Sequence, residues 1–144
     1  VYSYLNPNSW FVFSKLSLIH FFGGLFTLSV CPQFGINLLG TDLGLLKIFY
    51  RLGTYGCVTA CGALFISVTA ILALLALRPE EIKKVRQLWL LQIAGISFLS
   101  LGFFLMLDAV ILWSFATFWI IGGLLGGLVT LEAGMLAQKK FLFQ

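Results

Sequence analysis

Charged residues are absent from four long stretches of this chain, and this distribution constrains the fold more than any other feature. The stretches are 16–41, 52–77, 87–107 and 109–131. A helix needs about 20 predominantly apolar residues to cross the roughly 30 Å hydrocarbon core of a bilayer. Each stretch is long enough, so the charge pattern predicts an all-α fold, an integral membrane four-helix bundle.

The composition excludes an ordinary soluble domain. Hydrophobic residues make up 60% of the 144 residues and charged residues 10%, and the mean hydropathy is +1.05. Soluble domains carry about 25% charged residues. We therefore predict a single transmembrane domain over residues 1–144, with spans at about 10–31, 54–77, 88–107 and 110–137.

Turn-forming residues mark the ends of the predicted helices. Asn8 and Ser9 suit the start of the first span, and Pro32 cannot continue it. Pro79 and Glu80 suit the first turn of the third helix, because proline and acidic residues favour a helix N-terminus.

A short helix is predicted at about 41–53, between the first two spans. Lys47 and Arg51 lie one turn apart in this segment. Its apolar residues recur at helical spacing and are Leu43, Leu46, Phe49 and Tyr50. Such an amphipathic helix would lie in the membrane interface. The alternative is that the segment forms the hydrated first part of a long second helix.

The basic residues predict the orientation in the membrane. Four of the nine lie in the segment 78–86, and two more are Lys139 and Lys140. Because cytoplasmic connections carry an excess of Lys and Arg, we expect both termini and the 78–87 connection in the cytoplasm. The segment 32–53 then faces outward. The net charge is +4, and we expect the basic clusters to attract anionic lipid headgroups and not nucleic acid.

A small and polar face follows the first span. Its members recur at three- or four-residue steps and are Ser14, Ser17, His20, Gly24, Thr27 and Cys31. Polar groups exposed to lipid are costly, so this face should turn inward. Either it makes hydrogen bonds across a helix contact, or His20 binds a cofactor or carries a proton. In the second case His20 would be a haem or metal ligand or a quinone contact. As the only histidine, it cannot by itself form a bis-His haem site or a metal cluster.

Three cysteines are predicted near the outer leaflet. Cys31 ends the first span, and Cys57 and Cys61 lie one turn apart in the second. An oxidising compartment would permit a disulfide there, with Cys31–Cys57 the first pair to test. The alternative is that all three are small apolar packing residues.

Small residues predict close packing of the second and fourth helices. In the second helix they are Gly56, Ala60, Ala63, Ser67 and Ala70, and in the fourth they are Gly122, Gly123, Gly126 and Gly127. Helix backbones approach closely where side-chain bulk is missing. The pattern leaves open whether the partner helix belongs to this chain or to another subunit.

Polar side chains within the membrane are candidates for function by default. Ser17, Gln92 and Glu132 belong to this class. We expect Glu132 to reach the cytoplasmic interface or to pair with Lys139, Lys140 or Lys15, and Gln92 could bond to it.

The run from His20 to Gly35, HFFGGLFTLSVCPQFG, followed by Gly56 and Cys57, resembles a bacterial family over the first half of the chain. The family comprises the multi-pass membrane negative regulators of extracytoplasmic-function sigma factors. The resemblance implies the bacterial inner (cytoplasmic) membrane and a cysteine-bearing outer end with redox or metal sensitivity. Members have six helices and a cytoplasmic sigma-binding tail, whereas four spans are predicted here, preceded by about nine residues.

These features favour a non-enzymatic membrane protein. It would act as a small subunit or regulator of a membrane complex through helix–helix packing. Its expected partners are the lipid bilayer and other membrane subunits or a second copy, not nucleic acid. One alternative is proton or ion translocation through His20 and Glu132, and another is a thiol sensor in the outer leaflet. No catalytic residue and no metal site is predicted.

Overall fold

Apolar helices dominate the structure, as the charge-free stretches predict. The computed structural model describes residues 2–36 and 45–142, and within these ranges the chain forms helices and no β-strand. The helices are α1 (Tyr2–Leu5), α2 (Ser9–Val30), α3 (Leu45–Tyr50), α4 (Gly53–Ala76), α5 (Pro79–Gln87), α6 (Trp89–Met106) and α7 (Trp113–Leu142). The predicted all-α class is confirmed.

Four of these helices are long and apolar enough to cross a membrane. They are α2, α4, α6 and α7, and each contains an 18-residue window with a mean hydropathy of 1.5 or more. Their outward faces carry large apolar side chains such as Phe22, Leu75 and Val129. A bundle with an apolar exterior suits lipid as its solvent, because every helix satisfies its backbone hydrogen bonds internally.

The predicted helix at 41–53 is observed in part, as a separate short helix. α3 covers Leu45–Tyr50, and residues 41–44 lie outside the described part of the chain. Gly53 has a φ of +80°, a left-handed backbone conformation that glycine adopts without steric cost. This turn separates α3 from α4, so the segment is not the start of one long helix.

The boundaries around α6 differ from the prediction at both ends. The third helix was expected to run from Pro79, but Leu88 (φ −113°, ψ 24°) separates α5 from α6. The fourth helix was expected from 110 and starts at Trp113. Asp108 adopts a left-handed φ of 60° and ends α6, which short polar side chains tolerate. The first backbone hydrogen bond of α7 then runs from the Ala116 N–H to the Leu112 carbonyl.

The most extensive helix contact in the bundle joins α4 and α7, and α4 also packs against α2. Glycines allow the backbones of α4 and α7 to touch. A Cβ added to Gly122 would overlap the Thr59 carbonyl, and one added to Gly62 would overlap the Trp119 carbonyl. A Cβ on Gly126 would lie 2.8 Å from the Cα of Ala63. Gly62 of α4 and Gly122 and Gly126 of α7 therefore pack within the chain.

The other predicted packing glycines have different surroundings. A Cβ on Gly123 would meet Ile66 at 2.8 Å, and one on Gly127 would meet Ile66 at 2.8 Å and Ile93 at 2.9 Å. A Cβ on Gly56 would meet only Leu52, and Ala60 is half-buried. Gly62 was not predicted from the sequence as a packing residue, although its Cα faces the Trp119 carbonyl of α7.

Charged groups gather at the end of the bundle that carries α5, which we call the basic end. Glu81 is buried, and its carboxylate accepts hydrogen bonds from the Lys15 ammonium (2.7 Å), the Arg78 guanidinium (3.3 Å) and the Arg78 backbone N–H (3.0 Å). Burial opposes ionisation, but these bonds outweigh it and hold the pKa of Glu81 below its ordinary value. The cluster ties α5 to α2.

We predict that Gly122→Ala weakens the bundle because its Cβ has no space beside the Thr59 carbonyl. The free energy of unfolding in mixed micelles should fall by about 1–3 kcal/mol. Gly102→Ala is the matched control, since a Cβ on Gly102 meets nothing within 4 Å. Equal unfolding curves for the two variants would contradict the assigned α4–α7 contact.

We predict that Glu81→Gln destabilises the protein at pH 7 by about 2 kcal/mol, since hydrogen bonds to a carboxylate are lost. Because the folded pKa is lowered, the wild type should lose this stabilisation as pH falls below about 4.3 and through the folded pKa. The variant should lack this acid-dependent loss. Unfolding measured from neutral to acid pH tests this, with Glu80→Gln as control, and parallel curves for all three proteins would refute it.

Candidate functional site

Three free thiols are brought together where α2 ends beside the first turns of α4. We call this region the thiol end. Cys31, at the C-terminus of α2, is fully buried, and Cys57 and Cys61 on α4 are also buried. The sulfur of Cys31 lies 3.9 Å from the sulfur of Cys61. Cys57, one turn before Cys61, also interacts with it.

The structure therefore singles out a different pair from the one the sequence favoured for testing. Cys31–Cys57 was the first candidate for a disulfide, whereas Cys61 is the residue whose sulfur contacts Cys31. Cys57 and Cys61 lie one helical turn apart, so both face α2, and sequence spacing alone could not rank them.

A tight turn follows Cys31 and fixes the next polar side chain inside the protein. The backbones of Gln33 and Ile36 exchange two hydrogen bonds, of 3.1 and 2.8 Å. Between them Phe34 and Gly35 have φ values of 49° and 84°, which is typical of a type I′ turn. As a result Gln33 is only 2% exposed.

Gln33 makes one of the hydrogen bonds that its side-chain amide offers. Its Oε1 accepts from the indole N–H of Trp119 on α7, at 3.0 Å. The indole is only a donor, so this bond fixes which end of the amide faces Trp119. The amide nitrogen Nε2 is then buried, with no hydrogen-bond partner among the described residues. Such an unpaired donor costs about 1–3 kcal/mol.

Aromatic side chains surround Trp119, which is itself fully buried. Their ring centroids lie 5.5 to 6.1 Å from that of Trp119, and they are Phe34, Phe65 and Phe104. Gly62 allows the Trp119 backbone to touch α4, so the helix contact and the aromatic cluster depend on each other.

A cavity of about 360 Å³ opens beside the thiols and the amide. None of the described residues that line it is charged. They are Pro32, Gln33, Phe34, Gly35, Tyr50, Thr54, Cys57, Val58, Cys61, Val110, Phe115 and Trp119. The exposed side chains of Tyr50 and Val110 mark its open side. The cavity suits a neutral, largely apolar molecule.

His20 connects three helices through a chain of hydrogen bonds. Its Nδ1 lies 2.6 Å from the Thr69 hydroxyl on α4, and its Nε2 lies 2.5 Å from the Ser100 hydroxyl on α6. Ser100 in turn donates to the Ile96 carbonyl at 2.8 Å, so its oxygen accepts from Nε2–H. The Thr69 hydroxyl also donates to the Phe65 carbonyl, at 3.3 Å, so the direction of its bond with Nδ1 depends on the imidazole tautomer.

The polar face of α2 is buried from His20 to Cys31, as expected of a face that turns inward. His20, Gly24 and Thr27 are buried, whereas Ser14 is exposed and bonds back to the Trp10 carbonyl. The Ser17 hydroxyl is buried and has no partner among the described residues. It lines a crevice of about 150 Å³ that also contains His20 and Ser100.

Glu132 and Gln92 do not interact in the way the sequence suggested. Glu132 accepts two hydrogen bonds from Arg86, of 2.7 and 3.2 Å, so its partner is an arginine of α5 and not one of the three lysines named as alternatives. Lys15 binds Glu81 instead. Gln92 is buried, and its Oε1 has no partner among the described residues.

His20 and Glu132 belong to separate networks. In residues 2–36 and 45–142, no hydrogen bond or ion pair joins His20 to Glu132. The same residues contain no group of three or more His, Cys, Asp and Glu side chains that could hold a metal ion. Cys57, Cys61 and Gln33 line one cavity, and Ser17, His20 and Ser100 line another.

Sequence reasoning missed three of the residues that build these sites. Gln33 follows the Cys31-Pro32 helix stop, a position where a polar residue reads as part of an exposed turn. Thr69 and Ser100 lie on apolar helices as isolated hydroxyls. Their three- or four-residue spacing from Ile66 and Ile96, which are buried, was the one available signal that they also face inward.

No family model matches this chain, and neither a curated protein nor a solved structure is similar to it. The resemblance to the sigma-factor regulators therefore stays a prediction. The four apolar helices and their packing indicate an integral membrane protein of the helical-bundle class.

Proposed function

We propose that this chain is a non-enzymatic membrane regulator whose conformation depends on the oxidation state of Cys31 and Cys61. The observation that carries the proposal is the 3.9 Å contact between their sulfur atoms. A disulfide has a sulfur–sulfur distance of about 2.05 Å, so the two sulfurs must approach by roughly 2 Å. Two thiols give up two protons and two electrons to a two-electron oxidant, and one S–S bond forms.

The position of the pair supports a regulatory role. Cys31 ends α2, and its N–H bonds the Thr27 carbonyl at 2.7 Å. The turn that holds Gln33 follows directly. Drawing Cys31 toward α4 would therefore pull on this turn and on the Gln33–Trp119 bond. Cores are close-packed, so a shift of this size must be accommodated by neighbouring groups.

Interaction with other membrane proteins through helix packing is the second part of the proposal. The glycines of α7 are used inside the chain, so they do not mark an external surface. The exposed apolar faces of the long helices remain for a partner, among them Leu75, Val129 and Phe98. Oxidation at the thiol end would change how these helices are presented to a partner protein.

We predict that diamide, a chemical thiol oxidant, links Cys31 to Cys61 in native membranes. The Cys57→Ser variant should form this disulfide as readily as the wild type, whereas Cys61→Ser should form far less cross-linked product. Maleimide–polyethylene glycol labelling and peptide mass spectrometry identify the pair. Predominant Cys31–Cys57 linkage, or no linkage, would contradict the proposal.

The regulatory part is tested by purifying the reduced and the oxidised protein in mild detergent. Mass spectrometry should find a bound membrane protein in one state and much less of it in the other. The double variant Cys31→Ser/Cys61→Ser should not respond to diamide. A partner set that is identical in both states would show that oxidation does not regulate association.

A further inference from the structure

We propose that the 360 Å³ cavity at the thiol end binds the head of a membrane quinone, which oxidises Cys31 and Cys61. This inference rests on the proposed function, because it supplies the oxidant that a thiol switch needs. It also makes an independent claim about binding, which can be tested without any redox reaction.

The unpaired amide of Gln33 is the first observation that points to a ligand. Gln33 is 2% exposed, lines the cavity and has no partner for Nε2 among the described residues. The amide cannot exchange the positions of Oε1 and Nε2, because Nε2 would then face the indole N–H of Trp119, which is also a donor. Because Nε2 has almost no accessible surface, a ligand carbonyl oxygen would accept from it, and remove the cost of the unpaired group, once the side chains beside it move aside.

The lining excludes several other classes of ligand. None of the described residues that line the cavity is Lys, Arg or His, so a phosphate or carboxylate held against them would be buried without a counter-charge, at a high cost in free energy. The described residues contain no group of three or more His, Cys, Asp and Glu side chains that could hold a metal ion. A neutral carbonyl compound is the class that fits.

The size and aromatic character of the cavity favour a flat ring. The volume of 360 Å³ lies within the range of about 300–1,000 Å³ that is typical of small-molecule sites. Trp119 is fully buried, so Tyr50 and Phe115 are the described aromatic lining residues with an accessible ring, and aromatic side chains stack on flat conjugated rings. The exposed mouth at Val110, which is 85% exposed, gives the apolar tail of such a molecule access to lipid.

The thiols are the groups that the bound quinone would oxidise. Cys57 and Cys61 line the cavity, and Cys31 lies behind Cys61. Two thiols and one quinone yield one disulfide and one hydroquinone. The S–S bond forms between Cys31 and Cys61, the two S–H bonds break, and the electron pair and both protons pass to the quinone oxygens. Gln33 would donate to the carbonyl oxygen as negative charge develops on it.

Binding is tested first in the Cys31→Ser/Cys61→Ser protein, which cannot carry out the reaction. A short-chain ubiquinone should quench tryptophan fluorescence in a saturable manner. Gln33→Leu in the same background should raise the Kd about tenfold, because the hydrogen bond is lost. Gln92→Leu is the matched control, since Gln92 is also buried but does not line the cavity. Equal affinities of all three proteins would overturn the site.

A phospholipid ester carbonyl offers the same acceptor chemistry, so the assay includes it as a separate arm. Short-chain phosphatidylcholine should leave the quinone titration almost unchanged. If phosphatidylcholine displaces the quinone and binds more tightly, the cavity is a lipid site and the quinone proposal is wrong.

The redox step is tested with the reduced wild type under anaerobic conditions. The quinone should be converted to hydroquinone at one equivalent per chain while two thiols become unreactive to maleimide. Val58→Phe fills the cavity without altering Gln33 or the cysteines, so it should slow this reaction at least tenfold and still form the disulfide with diamide. It serves as the second variant if Gln33→Leu fails to fold.

The two proposals fail in different ways. If diamide links Cys31 to Cys61 but the quinone neither binds nor oxidises the thiols, the switch stands and the quinone site is excluded. If the quinone binds through Gln33 but neither oxidant forms the disulfide, the redox step and the proposed function fail together.

Discussion

The close contact between the backbones of α4 and α7 is the interaction on which the rest of the structure depends. Apolar side chains gain little by leaving lipid for protein, so dispersion between closely packed helices supplies much of the stabilisation in a membrane bundle. Gly62 and Gly122 make this possible, since a Cβ on either would overlap a carbonyl of the facing helix. The contact also positions Trp119 against α4 and so provides the donor that orients Gln33.

The polar groups are satisfied by different kinds of interaction along the length of the bundle. The basic end uses the ion pairs of Glu81 and Glu132. The middle uses His20, which is held between Thr69 and Ser100. Buried polar atoms without a partner among the described residues occur in Ser17, Gln33 and Gln92. Of these three residues, Gln33 lines the same cavity as Cys57 and Cys61. A buried polar group that lacks a hydrogen-bond partner calls for an explanation, and a ligand-binding site is one such explanation.

The charge-free stretches were enough to predict the all-α class and the number of long apolar helices, because the bilayer dictates helix length and excludes charge. The inward face of α2 followed from helical spacing. Gly62 was not predicted, because a single glycine without a repeat resembles any other. The pairing of Cys31 with Cys61 required the rotation of α4, and the partner of Glu132 required the position of α5. Gln33 was missed because its burial follows from a turn and from Trp119, which lies 86 positions away in the chain.

The central claim is that joining two thiols changes the conformation of one end of the bundle. Amide hydrogen exchange of the reduced and the diamide-oxidised protein in the same lipid nanodisc tests it most directly. The account predicts altered exchange at 32–36, at the first turns of α4 and around Trp119, with α5 and the basic end unchanged. Identical exchange in the two states, with the Cys31–Cys61 bond verified by mass spectrometry, would contradict it.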